Sequence, residues 1–167
     1  TYACKFNKIV IPGTVSKIEE SAFAYCQSMT QLIFEGKAED VDLEICEFAF
    51  YYCNKLTEVT LPANLKILRQ AAFAYTTQLK TVNVTTDRAT VEYEAGAFAT
   101  KTNTGNGVGT FYVNTVNLSK TVPDFAVSSV FGTSTLKAVN VEDGNPYYQA
   151  IEGVLYNGDV TRLLFYP

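Results

Sequence analysis

The stretch from Leu56 to Val84 ends in the pattern with which it begins. It opens Leu56-x-x-Val59-x-Leu61-Pro62, passes Leu65-x-x-Leu68, reaches Ala72-Phe73 and closes Leu79-x-x-Val82-x-Val84. A segment that starts and finishes alike is one unit of a repeat. No other feature constrains the fold as strongly, because a unit this small cannot bury its apolar side alone and must stack on copies of itself.

The rest of the chain supplies the copies. One runs from Ile9 through Pro12, Val15 and Ile18 to Ala22-Phe23, Cys26 and Met29. Another begins at Leu32-Ile33-Phe34, passes Val41 to Ile45, and reaches Ala49-Phe50, Cys53 and Leu56. After the opening unit, a fourth begins at Val82-Asn83-Val84 and reaches Ala97-Phe98. The insertion 100–110, rich in Thr, Asn and Gly, then intervenes before Val108 takes the Leu slot. The fifth begins at Phe111-Tyr112-Val113, with Val130-Phe131 or Phe125 standing for Ala-Phe, and Leu136 closes it. A sixth starts at Val139-Asn140-Val141 and breaks pattern after Pro146. Starts near 9, 32, 59, 82, 111 and 139 are 23 to 29 residues apart, the period of leucine-rich repeats. The 167 residues are thus expected to form a single leucine-rich repeat domain, 1–167, of about six units.

Each apolar-x-apolar triplet has period 2 and predicts a short strand. Pro12 and Pro62 directly after two of them stop the ladder. Strands recurring in one direction after long crossovers form a parallel sheet. Ser21-Ala22-Phe23-Ala24 and Gln70-Ala71-Ala72-Phe73-Ala74 are good local helix formers, so the Ala-Phe stretch is expected to make a helical turn. The fold class expected is an α/β solenoid, with short parallel strands in one sheet and irregular or short-helical crossovers. Asn157-Gly158, between Val154-Leu155-Tyr156 and Thr161-Arg162-Leu163-Leu164-Phe165, predicts a terminal β-hairpin over 153–166, because both turn positions tolerate positive φ. Incomplete units at both ends imply a longer array, or ends covered by self-association. Thr1 in place of Met implies a mature or excised segment.

Composition narrows the function. Thirteen basic residues are scattered against seventeen acidic ones, for a net charge of −4, which disfavours nucleic acid and anionic membrane surfaces. No run approaches the ~20 apolar residues that span a bilayer. The chain has no His, which removes the commonest general base and metal ligand. An enzyme using paired carboxylates remains formally possible, but the spacing of Asp40, Asp42 and Glu44 does not demand one. No metal or cofactor is expected.

With the repeat laid out, the chain resembles the BspA-like leucine-rich repeat proteins, surface or secreted proteins of bacteria and some protists. Their unit reads roughly Leu-x-x-Ile-x-Ile-Pro-x-x-Val-x-x-Ile-x-x-x-Ala-Phe-x-x-Cys-x-x-Leu, which Leu56–Leu79 matches nearly throughout, with Thr76 in the Cys slot. Asn145-Pro146-Tyr147, Gly153-Val154-Leu155-Tyr156 and Leu163-Leu164-x-Tyr166-Pro167 also look like a segment recurrent in that family. The resemblance implies an extracellular or cell-surface adhesion protein, non-enzymatic, that binds a protein or cell-surface ligand such as host matrix. It brings no catalytic residue with it.

If the flanking apolar residues point in, then Val10, Ile33, Thr60, Asn83, Tyr112 and Asn140 point out in one row. Solenoids commonly bind ligands on such a face. Ile33, Thr60, Asn83, Tyr112 and Asn140 are therefore the candidate ligand-binding residues, and a structural spacer or stalk with no ligand of its own is the alternative. Cys26 and Cys53 share a slot in adjacent units, as buried apolar residues or as a disulfide. Glu142-Asp143-Gly144-Asn145 reads as an acidic turn, with calcium binding as the alternative. Asn83-Val84-Thr85 and Asn117-Leu118-Ser119 are glycosylation sequons.

Overall fold

The computed structural model describes residues 4–36, 38–88, 90–94, 96–101, 108–123 and 135–167. Its strands in chain order are β1 (Lys8–Ile11), β2 (Lys17–Ile18), β3 (Gln31–Phe34), β4 (Leu43–Ile45), β5 (Glu58–Leu61), β6 (Leu65–Leu68), β7 (Thr81–Val84), β8 (Glu92–Tyr93), β9 (Ala99–Lys101), β10 (Val108–Phe111), β11 (Thr115–Leu118), β12 (Ala138–Val141), β13 (Tyr148–Ile151), β14 (Val154–Asn157) and β15 (Leu163–Phe165).

The apolar-x-apolar triplets form the front of a β-solenoid. β1 pairs with β3, and β5, β7, β11 and β12 pair in that order, all parallel. Ile9 aligns with Leu32, and Val59, Val82, Val116 and Val139 align with one another. The four aligned valines are buried because every second side chain of a strand faces inward. β3 packs beside β5 without a ladder, so the front sheet is in two pieces. A second parallel sheet, β2-β4-β6-β8, forms the back, with Ile18, Ile45 and Leu68 facing the shared core. The sequence reading foresaw one sheet. Val15-x-x-Ile18 and Leu65-x-x-Leu68 carry the second.

The Ala-Phe stretches are not helical, and no helix occurs among the described residues. The reason lies in where the N–H groups go. Ser21, Phe23 and Tyr25 donate theirs to the carbonyls of Glu47, Ala49 and Tyr51 in the next coil, while Ala22, Ala24 and Cys26 donate back three residues to Glu19, Ser21 and Phe23. Phe50 and Tyr52 likewise donate to Ala72 and Ala74, and Phe73 donates to Ala97. An α-helix needs every N–H to bond four residues back within the segment. Here the neighbouring coil captures every second one. The chain accommodates this by placing Ser21 and Tyr25, Phe48 and Tyr52, and Ala71 and Tyr75 at φ between 58° and 62°, which no right-handed helix admits. The expected α/β crossover is corrected to a run of tight turns.

Those turns aim one Phe per coil inward. Phe23, Phe50, Phe73 and Phe98 stack in a file, with successive ring centroids 5.3, 4.9 and 5.0 Å apart and planes within 12° of parallel. The Cys slot lies beside the file. Cys53 Sγ donates to Phe23 O at 3.4 Å, and Thr76 Oγ1 makes the same bond to Phe50 O at 3.0 Å. Thr replaces Cys there because both offer a small side chain with one donor to a buried carbonyl.

The fifth coil departs from its expected register. β10 turns back antiparallel on β9, so Phe111 ends a hairpin instead of starting a coil. The strand that stacks on β7 is β11, four to five residues later. Asn114 N donates to Lys80 O as Lys80 N donates to Thr57 O, which puts buried Val113, not Val108, in the Leu slot. Val130-Phe131 and Phe125 lie outside the described residues, as do 102–107 of the insertion.

At the far end β13, β14 and β15 form an antiparallel sheet that seats Tyr148, Leu155 and Phe165 on the core. The two-residue turn joining β13 to β14 is Glu152-Gly153, with φ of 52° and 81°, the pattern of a type I′ hairpin. The sequence points to Asn157-Gly158 as the hairpin turn instead. There the loop is longer: Asn157 Oδ1 accepts from Arg162 N, and the left-handed residue is Val160 at 57°.

Candidate ligand-binding face

The outward row of the front sheet follows from the strand registers. Val10 pairs with Ile33 on one piece; Thr60, Asn83, Asn117 and Asn140 align across the other. Ile33, Thr60, Asn83 and Asn140 thus stand where the sequence places them. Tyr112 does not. It is half-buried ahead of β11, with Lys80 Nζ 5.4 Å from its ring centroid, and Asn117 takes its position in the row. A signal for Asn117 was present: Val82-Asn83-Val84, Val116-Asn117-Leu118 and Val139-Asn140-Val141 are the same triplet.

The amides of the row are joined along the solenoid axis. Asn140 Nδ2 donates to Asn117 Oδ1 at 2.8 Å, and Asn117 Nδ2 donates to Asn83 Oδ1 at 2.7 Å. Asn83 Nδ2 donates to Thr60 Oγ1 at 3.1 Å and to Glu58 Oε1 at 2.6 Å. Parallel in-register strands bring identical amides within bonding reach at every step. Beside the ladder runs a shallow groove of about 330 Å³, lined by Val84, Leu118 and Val141 as well as by Asn83, Thr85, Asn117, Ser119, Asn140 and Glu142, its exposed wall mostly apolar. A second groove of about 310 Å³ lies at the break between β3 and β5, lined by Ile33, Phe34, Thr60, Pro62, Ala63 and Thr85 among others. Thr85 borders both, and Val10 and Ile33 are 41% and 40% exposed. The face therefore carries exposed aliphatic side chains at its first coils and an amide ladder at its last, with a mostly apolar groove beside each.

The back sheet carries the charges. Arg69 reaches Glu44 Oε1 and Glu94 Oε1, both at 2.8 Å, and so ties three coils. Burial opposes ionisation of Glu94, but the Arg69 hydrogen bond, the bond from Gln70 N and the Arg69 charge together outweigh it and hold the carboxyl below its ordinary range. The Lys66 ammonium, 2.7 Å from Asp42, holds that carboxyl low as well, aided by Arg88. Asp42 and Glu44 are thus engaged by cations of neighbouring coils and not by each other.

All four cysteines are free thiols. Burial, with Cys4 hydrogen-bonded alongside, pushes Cys26 up to about 12, and burial does the same to Cys53. Both therefore stay protonated at physiological pH. In the acidic turn, Asn145 Oδ1 accepts from Tyr147 N and Tyr148 N while its Nδ2 donates to Ser119 O and Val122 O. Asn145 is a structural plug of the last coil. Among the described residues no group of three or more His, Cys, Asp or Glu is arranged to hold a metal, and no helix is long and apolar enough to cross a membrane.

Stacked parallel strands on two faces, one inward Phe per coil and a recurring Cys or Thr slot define a leucine-rich repeat solenoid. The sequence matches the BspA type leucine rich repeat region (6 copies) over residues 2–106 and again over 43–149, and the chain belongs to that family. It is also similar to the crystal structure of the pneumococcal vaccine antigen PcpA, at 27% identity and a TM-score of 0.58, over 96% of this chain and 36% of that one. The chain therefore spans about a third of that protein's length. No curated protein matches it.

Proposed function

We propose that the chain is a non-enzymatic recognition module of a bacterial cell-surface or secreted adhesion protein, and that its front sheet takes a protein or cell-surface ligand, host matrix among them. Family membership and the likeness to a pneumococcal vaccine antigen support the placement. The observation that carries the binding role is the aligned row Thr60, Asn83, Asn117 and Asn140, continued by exposed Ile33 across the break. Tyr112 stands apart from the row and is dropped as a contact. The test is binding of the purified chain to immobilised host matrix proteins and whole host cells. Ile33→Asp and Asn117→Asp each abolish capture on this reading, while Lys17→Ala on the back sheet leaves it unchanged.

The second reading is a spacer without its own ligand. The amides favour it in one respect, since Asn–Asn bonds hold the row in place without any partner. Failure to capture any host component, with the fold intact, would select the spacer.

A further inference from the structure

Resting on that reading, we infer that the amide ladder and its groove are a subsite for a neutral, extended, β-linked glycan chain, one sugar ring per coil. Three features lead there, the first being hydrogen-bond capacity. An amide offers two N–H donors and a carbonyl with two lone pairs. After the ladder bonds, Asn117 retains one N–H and one lone pair, and Asn140 retains one N–H and both lone pairs. The hydroxyls of Thr85 and Ser119 border the same groove; Thr85 already donates to Leu61 O and Ser119 is paired with Thr121, so what they add is acceptor capacity. A sugar hydroxyl also gives one bond and takes others, so neighbouring hydroxyls on a ring match a rung that does both.

The second feature is the repeat length. Paired strands set the rungs ~4.8 Å apart, whereas an extended peptide presents side chains to one face every ~6.6–6.8 Å. A peptide laid along the row falls out of step by the second coil. A β-1,4-linked pyranose ring advances by about one coil spacing, so each ring meets a rung; alternate rings are turned over, and an amide that both donates and accepts can serve either edge. At the other end of the face, Ile33, half-buried Phe34 and Ala63 offer apolar surface to the C–H side of a ring.

The third feature is charge. Among the described residues no cation lines the ladder groove, and Glu142 and Glu58 stand beside the row in a chain of net charge −4. A polyanionic glycan is repelled, and a neutral one is not.

The experiment is calorimetric titration of the chain with β-1,4-linked glucose and N-acetylglucosamine oligosaccharides of increasing length, with heparin as the polyanionic control. Affinity is expected to rise with each added ring until the chain spans the four rungs and then to level off. Asn117→Val and Asn140→Ala are each expected to weaken the longest oligomer at least tenfold while melting temperatures stay within a few degrees, and heparin is expected not to bind. Absence of binding by every neutral oligomer, affinity independent of length, or affinity untouched by both substitutions overturns the inference. A parallel arm measures capture of host matrix proteins before and after enzymatic deglycosylation. Capture that survives deglycosylation yet depends on Asn117 overturns the glycan subsite and leaves the recognition module standing. Loss of capture on deglycosylation supports both.

Discussion

Phe50 and Phe73 stack face to face, their ring centroids 4.9 Å apart and their planes 12° from parallel. Both are buried, and each also stacks on a further ring of the file, Phe23 and Phe98 respectively. Removing one ring leaves a cavity that the turns on either side cannot close, because their N–H groups are pinned to neighbouring coils. Phe73→Ala is expected to cost about 3–5 kcal/mol and Phe73→Leu far less. Urea unfolding followed by circular dichroism measures both; a cost under about 1 kcal/mol for the alanine variant would refute the file as the core of the crossovers.

The slot shared by Cys53 and Thr76 predicts an asymmetry. Thr76→Val keeps the shape but strands the buried Phe50 carbonyl, and is expected to cost about 1–3 kcal/mol. Thr76→Cys restores a donor and is expected to cost less. Equal stability of the Val and Cys variants by denaturant titration would show that volume alone matters there.

Alkaline pH is expected to weaken the fold through the buried thiols. Cys26 and Cys53 are raised from 9.0 to about 12. Their contribution is complete below pH 9 and is lost as pH rises from there through the folded value, since the unfolded chain releases its protons first. The slope is about 1.4 kcal/mol per pH unit for each thiol. Between pH 9 and 10, Cys53→Thr is expected to flatten the decline relative to the parent chain. An unchanged slope would place the alkaline sensitivity elsewhere.

Acid is expected to act on the back sheet. Glu94 and Asp42 are held below their ordinary range by Arg69 and Lys66, so what they contribute is present above that range and lost as pH falls through the lowered values. Arg69→Met removes the tie between three coils and is expected to shrink the loss of thermal stability between pH 5 and pH 2. Added salt is expected to imitate part of that effect in the parent chain. A parent and variant with the same acid profile would exclude Arg69 as its source.

Much of the coil is legible in the sequence. The triplets that became β1, β3, β5, β7 and β12 were read from period 2 alone, and so were the outward positions of Ile33, Thr60, Asn83 and Asn140. Tyr112 was misplaced because Phe111-Tyr112-Val113 and Val116-Asn117-Leu118 fit the triplet equally well. Only the pairing of β10 with β9 removes the first from the stack. The helical expectation for Ala22-Phe23 and Ala71-Ala72-Phe73 rested on local propensity, a weak prior that neighbouring chains override.

By itself the sequence determined the repeat, its approximate period, the inward faces of its strands and the solenoid they compel. Those depend on which side chains are apolar, and that is written locally. Tertiary structure alone decided the hydrogen bonding. It sent alternate N–H groups of the crossovers to the next coil, split the front sheet between β3 and β5, tied Arg69 to two other coils, and linked Asn83, Asn117 and Asn140 into one ladder. Each of the bonds named joins residues more than twenty positions apart, and a backbone or side-chain donor takes whichever acceptor the packed coils bring within reach.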